Sequence, residues 1–170
     1  MRVLGVDPGT WRMGYGALEE RDGEVTALEY GVLRPRGTLP LEQRLLHLYE
    51  ALRQVVARLR PDQVAVEEPF VSRGEEGNMR TAVAVGQAQA VALMAAAAAG
   101  APVHRYPPAS VKQAIANYGG GTKEQVAAMV QMLLRLPEPP QPLDAADALA
   151  VALCHLRERA VEALVVERPS

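Results

Sequence analysis

Carboxylates stand at the ends of three apolar segments in this chain, a pattern suited to holding a divalent metal. Asp7 closes the run Val3-Leu4-Gly5-Val6, and Glu67 and Glu68 close Val64-Ala65-Val66. Asp144 and Asp147 sit among alanines in Asp144-Ala145-Ala146-Asp147-Ala148. A carboxylate at the edge of a core is costly to place unless something cationic meets it. Three such places along one chain can converge in space on a metal ion, and a metal-dependent enzyme is the leading expectation.

Each place also has a plain structural reading. Asp7-Pro8-Gly9-Thr10 suits an ordinary turn. It also suits a phosphate-binding loop of the actin and sugar-kinase type, but that fold needs a second similar domain, for which 170 residues leave no room. Glu67 and Glu68 are adjacent, so in a strand they point to opposite faces and only one can look toward Asp7. Periodicity does not choose between them. Asp144 and Asp147 share one helix face, where Asp144 suits an N-cap and Asp147 the first turn. The alanines around them fit close packing against a sheet. Gly119-Gly120-Gly121-Thr122-Lys123 lacks the order of a nucleotide-binding loop, leaving a helix break or a loop that carries Lys123 to a phosphate. Cys154 and His155 have no third metal ligand nearby and read as packing residues.

The elements that must position these groups are legible in outline. Strands are expected over Arg2–Asp7, Met13–Leu18 and Val25–Leu33, with a hairpin turn at Glu20-Arg21-Asp22-Gly23. Leu45, Leu48, Leu52, Val55 and Leu59 recur at helical spacing, and Gln63–Glu67 is a further strand. A polar loop over Ser72–Arg80 precedes a helix from Thr81 to Ala99. Pro102–Tyr106 is a short strand, and Pro107-Pro108-Ala109-Ser110 opens a helix. Thr122-Lys123-Glu124-Gln125 has the capping-box pattern of a helix reaching about Leu136, and a last helix runs from Leu143 to about Val161. Strands joined by tight turns, then alternating helices and strands, describe an α/β mixed sheet with helices packed on it. One domain over residues 1–160 and a flexible tail over 161–170 are expected.

Composition adds bounds. The chain is 49% hydrophobic and 22% charged, with net charge −2, which argues against coating nucleic acid through bulk charge but not against a local basic groove. A single cysteine excludes an internal disulfide framework. The alanine-rich run Ala88–Ala99 reads as a buried helix, too short and too weakly apolar for a bilayer. With no signal-peptide pattern at the N-terminus, the expected location is cytoplasmic.

Taken together, the segments resemble the RuvC family of Holliday junction resolvases. The residues that carry the resemblance are Gly5-Val6-Asp7-Pro8-Gly9-Thr10 with Gly14-Tyr15-Gly16, Val64-Ala65-Val66-Glu67-Glu68-Pro69-Phe70, and Gly86-Gln87-Ala88. Val111-Lys112-Gln113-Ala114, Thr122-Lys123-Glu124-Gln125-Val126 with Met129-Val130, and Asp144-Ala145-Ala146-Asp147-Ala148-Leu149-Ala150 complete it. Order and approximate spacing hold from Arg2 to about His155. The resemblance implies a ribonuclease-H-like five-stranded sheet, three antiparallel strands plus two parallel, with helices on both faces.

It also implies a homodimer that cuts four-way DNA junctions by paired nicks, with the RuvA–RuvB branch-migration complex as partner. Asp7, Glu67, Asp144 and Asp147 become the catalytic acids and ligands for two Mg²⁺, with Mn²⁺ as a substitute; the resemblance, not spacing, selects Glu67. Products with a 5′ phosphate and a 3′ hydroxyl are implied. Phe70, Lys112 and Lys123 become DNA contacts, with Phe70 able to stack on an unpaired base. Arg73 and Arg80 are further candidate phosphate contacts. The stretch from Phe70 to Gly86 departs from the family by a longer loop with the acidic insert Gly74-Glu75-Glu76-Gly77. A nuclease of the same fold acting on another structured nucleic acid, and a junction-binding protein without catalysis, are the competing readings.

Overall fold

Residues 1–69, 76–116 and 121–166 are described in the computed structural model of the chain. Strand β1 (Arg2–Asp7) follows from its aliphatic run, and alternation turns Leu4 and Val6 to one face and Val3, Gly5 and Asp7 to the other. Strand β2 (Met13–Arg21) returns antiparallel beside it. The hairpin into β3 (Glu24–Leu33) turns at Asp22 and Gly23, whose φ values of 54° and 82° are the left-handed pair that a tight two-residue hairpin needs. Strands β4 (Gln63–Glu67) and β5 (Val103–Tyr106) add in parallel on the far side of β1. The order is β3-β2-β1-β4-β5, three antiparallel strands and two parallel, as expected.

Helices cover both faces. On one, α1 (Leu41–Leu59) and α2 (Glu76–Ala98) bury Leu48, Leu52, Val55, Ala88, Ala92 and Ala95 against Leu4, Val6, Val64 and Val66. On the other, α3 (Pro108–Ala116), α4 (Lys123–Leu134) and α5 (Leu143–Val166) pack against Val3, Leu18 and Ala65.

Several boundaries differ from expectation, β2 running three residues past Leu18 to Arg21. Helix α2 starts at Glu76, so the polar loop over Ser72–Arg80 is helical from its middle onward; acidic residues ahead of an alanine-rich run suit a helix N-terminus. Helix α5 continues to Val166, five residues past Val161 and into the expected tail, because the sequence places neither glycine nor proline in it before Pro169. Helix α4 ends at Leu134, where Arg135 turns into the left-handed region at φ 51°. By length and composition alone, Met79–Ala98 is long and apolar enough to cross a membrane. Its inner face is nevertheless part of the core, with Ala88, Val91, Ala92, Ala95 and Ala96 buried on the sheet.

His155 on α5 is a polar residue inside this packing, fully buried and ring-to-ring with His104 at 4.5 Å. A neutral ring protonated on Nε2 satisfies both neighbours: Nε2–H donates to Gln63 Oε1 (2.6 Å) and the Tyr106 hydroxyl donates to Nδ1 (2.6 Å). The network ties α5 to the starting end of β4 and to β5. Burial, and then the nearby His104, push its pKa down to about 4. The folded value lies below the unfolded one near 6.5, so this contribution to stability is complete above pH 6.5 and is lost as pH falls toward 4. His155 ring resonances are expected to titrate near pH 4 in an NMR series; a midpoint near 6.5 would show that water reaches the network.

Candidate active site

The register of the sheet decides which carboxylates meet. Val6 pairs with Val66 between parallel β1 and β4, so Asp7 and Glu67 end neighbouring strands at one level. Both lie on the α5 side, because Leu4, Val6, Val64 and Val66 occupy the opposite core. Glu68 turns away and meets Arg105 at 3.9 Å. Strand parity, hidden from the residues alone, therefore selects Glu67.

Helix α5 brings the other two acids by lying directly on strand backbone. A Cβ added to Gly5 would stand 2.0 Å from the Ala148 carbonyl oxygen, and one added to Gly14 would stand 2.0 Å from the Asp144 carbonyl oxygen. Only glycine permits that approach. On the helix side Ala145, Ala146 and Ala148 are fully buried, in line with the expected packing. Gly14 pairs with Asp7, so the contact sets the first turn of α5 beside Asp7. Asp144 is the second residue of α5 and not its N-cap, since the helix begins at Leu143 and the Pro142 carbonyl accepts from Ala145 N–H (2.9 Å). Its side chain is thereby left for the site.

One carboxylate oxygen from each of Asp7, Asp144 and Asp147 lies within 4.8 Å of the other two. Glu67 adjoins the trio from the end of the neighbouring strand, close enough to Asp7 that each carboxyl perturbs the other's ionisation. Burial, reinforced by the charges of Glu67 and Asp147, holds the Asp7 pKa well above the usual carboxylate range. Burial also raises Glu67 and Asp147. Two carboxyls this close retain a proton unless a cation replaces it. The donor set is oxygen only, which fits a hard divalent ion such as Mg²⁺ better than zinc.

Side-chain cations reach these acids, Lys123 nearest among the described residues. Lys123 Nζ lies 2.8 Å from Asp147 Oδ2 and 3.5 Å from Asp144 Oδ1. Burial disfavours its charge, but the bond to Asp147 and the charges of Asp147, Asp7 and Asp144 outweigh it and raise the pKa. Lys123 is the first residue of α4, held in place by a complete capping box: Gln125 N–H donates to Thr122 Oγ1 (3.3 Å) and Thr122 N–H to Gln125 Oε1 (2.9 Å). Lys112, exposed on α3, lines a small cavity of about 40 Å³ with Glu67 and Asp147, floored by Val111, Ile115 and Val126. Arg12, absent from the sequence reading, places Nε 3.8 Å from Asp144 Oδ2. A basic residue in the turn after Asp7 was the available signal.

The structure thus brings Asp7, Glu67, Asp144, Asp147, Lys112 and Lys123 together. Arg80 is exposed in the second turn of α2, in no ion pair among the described residues. Phe70 and Arg73 lie outside the described residues.

Comparison with known proteins shows the family and the fold. The family profile described as "Crossover junction endodeoxyribonuclease RuvC" matches residues 3–155. Proteins of that description from Dehalococcoides mccartyi and Moorella thermoacetica are similar along nearly their whole length. The first is 48% identical over 160 residues, covering 94% of this chain and 93% of the relative. The second is 51% identical over 156 residues, covering 91% and 90%. Among solved structures, Thermus thermophilus RuvC in complex with Holliday junction substrate superposes with a TM-score of 0.84 at 37% identity, covering 95% of this chain and 96% of that one. The yeast mitochondrial Holliday junction resolvase, 16% identical with a TM-score of 0.66, shares the fold.

Proposed function

This chain belongs to the RuvC family of crossover junction endodeoxyribonucleases, and from that premise we propose that it resolves four-way DNA junctions at a centre built on Asp7, Glu67, Asp144 and Asp147. The observation that supports it most is the convergence of three aspartate side chains within 4.8 Å, with Glu67 on the strand beside Asp7 and a lysine ammonium among them. Mg²⁺ bound by these acids, two ions per site with Mn²⁺ as a substitute, would supply activation of the attacking water and stabilisation of the leaving 3′ oxygen.

The chain's own residues do the rest. The glycine contacts of α5 fix the acids in advance, so little reorganisation remains when substrate arrives. Lys112 on α3 and Lys123 at the first position of α4 present ammonium groups to phosphates beside the acids, and the N-terminal dipole of α4 favours negative charge at the same place. Hydrolysis leaving a 5′ phosphate and a 3′ hydroxyl gives nicks that a ligase can seal. A homodimer matches a twofold substrate with two cuts. The RuvA–RuvB branch-migration complex is the partner that family membership implies, and the cytoplasm is where DNA substrate and complex meet.

A substrate panel tests the proposal: labelled four-way junction, linear duplex of the same sequence, and other branched or hybrid nucleic acids, each with Mg²⁺. Symmetric cutting of the junction alone is expected. Cutting of linear duplex would point to a general nuclease on this fold, and tight junction binding without cutting to a binding protein.

Lys123 gives a separate test. Its ammonium and a metal ion compete for Asp144 and Asp147, so Lys123→Ala is expected to tighten Mn²⁺ binding in the absence of DNA while slowing junction cleavage. The side chain is 58% exposed, so screening limits the gain to about 1 kcal/mol, roughly fivefold in affinity. Calorimetric titration reads it, and unchanged affinity would remove the competition.

A further inference from the structure

The turn after Asp7 carries the chain's single tryptophan. Trp11 is 54% exposed, yet it is held: the Arg44 guanidinium lies over its ring with Cζ 3.6 Å from the centroid. Arg44 comes from the first turn of α1. Its Nε is buried without a hydrogen-bond partner among the described residues, so the ring is a principal partner of this guanidinium. A tryptophan that served only to staple α1 to the turn would gain most by being covered on both faces. Here one face has its cation and much of the ring is left to solvent.

The surroundings are cationic, and most of these cations have no carboxylate partner among the described residues. Arg12, next in sequence, is 60% exposed in its side chain and leans toward Asp144. Asp7 pairs with Gly14, Gly14 with Val32, and Met13 with Leu33. Arg34 and Arg36, both exposed, therefore leave β3 at the same end of the sheet as the acids. Among the described residues no carboxylate pairs with Arg34, Arg36 or Arg44, whereas Arg2, Arg21 and Arg58 pair with Glu19 and Glu29. This flank lies on the β2–β3 side of the acids; Lys112 and Lys123 approach from α3 and α4.

An exposed indole beside free guanidinium groups fits one ligand chemistry, a nucleobase flanked by phosphates. Bases stack on aromatic faces largely irrespective of sequence, and arginine meets phosphate oxygens bidentately. In continuous duplex the base faces are covered, so the ring needs a base released from the stack, as at a branch point. We propose that Trp11, set in place by Arg44, is a stacking platform for an unstacked base near the scissile phosphate, with Arg12, Arg34 and Arg36 taking the neighbouring phosphates. The inference rests on the junction-cutting reading of the acids, and adds a second contact surface to it.

Because Trp11 is the only tryptophan, its emission reports on this site alone. With cleavage blocked by Asp7→Asn, titration with a four-way junction is expected to quench Trp11 emission by about half and to shield it from iodide. Linear duplex, brought to equal saturation by anisotropy, is expected to quench it much less. Trp11→Ala is expected to weaken junction binding about tenfold, and Trp11→Phe to recover most of the loss. Junction binding that leaves the emission and iodide access unchanged would overturn the platform while leaving the nuclease reading intact. So would a folded Trp11→Ala variant that binds as tightly as the natural protein. If Trp11→Ala does not fold, the emission of the otherwise unaltered site decides. Absence of any junction binding by anisotropy would sink the junction reading, and the platform with it.

Discussion

Asp7→Asn is expected to slow junction cleavage by at least about a thousandfold, to leave junction affinity within about threefold, and to raise the thermal midpoint of the metal-free protein. All three follow from one placement. Asp7 is crowded by burial and by the Glu67 and Asp147 carboxylates, which is why its pKa is raised. Asparagine keeps the shape, removes one charge from the cluster and can donate to Glu67, so the fold loses a repulsion and the metal site loses a ligand. The pH dependence has a definite sign. A carboxyl whose folded pKa is raised lets the native state bind more protons, so its contribution is present at acid pH and is lost as pH rises through the raised value. The stabilising effect of the substitution is therefore larger at about pH 8 than at about pH 5. Melting curves at the two pH values, with cleavage rates and anisotropy, check it. Equal loss of cutting and binding with a lowered midpoint would indicate damage to the fold instead.

Gly14→Ala is expected to act through geometry alone. Its Cβ would stand 2.0 Å from the Asp144 carbonyl oxygen and 3.3 Å from the Asp7 Cβ, so α5 must lift from the sheet. Overpacking of rigid backbone on this scale destabilises by about 3 kcal/mol. A displacement of about 1 Å at Asp144 lowers the rate by roughly a further hundredfold in the molecules that stay folded. Gly86→Ala is the internal comparison: it lies within α2 with open space around it, and alanine there favours the helix by up to about 1 kcal/mol. Urea unfolding and single-turnover cleavage of both variants read the difference. A Gly14→Ala protein of natural stability and rate would mean that α5 has slack and that the glycine does not position the acids.

Local signals carry much of this fold. Alternation places β1 and β4, Asp22-Gly23 places the hairpin, and Thr122 with Gln125 places the start of α4. What stays hidden depends on partners distant in sequence. Glu67 and Glu68 are equivalent until β4 is in register with β1. The glycines at 5 and 14 are visible as residues, but their purpose appears only when the Asp144 and Ala148 carbonyls are laid over them. Asp144 satisfies the chemistry of an N-cap, yet the helix starts one residue before it. The sequence offers Lys123 as a phosphate contact, and its reach to Asp147 at 2.8 Å emerges only because α4 packs beside α5.

The central claim is that these acids, acting with a divalent metal, cut junction DNA. The most direct measurement incubates a labelled four-way junction with the protein and with Asp7→Asn, in Mg²⁺ and in EDTA, followed by ligation of the products. Paired nicks that ligase seals, formed by the natural protein in Mg²⁺ and absent in EDTA and in the variant, are the predicted result. Cutting that persists in EDTA, or that Asp7→Asn performs at the natural rate, would contradict it.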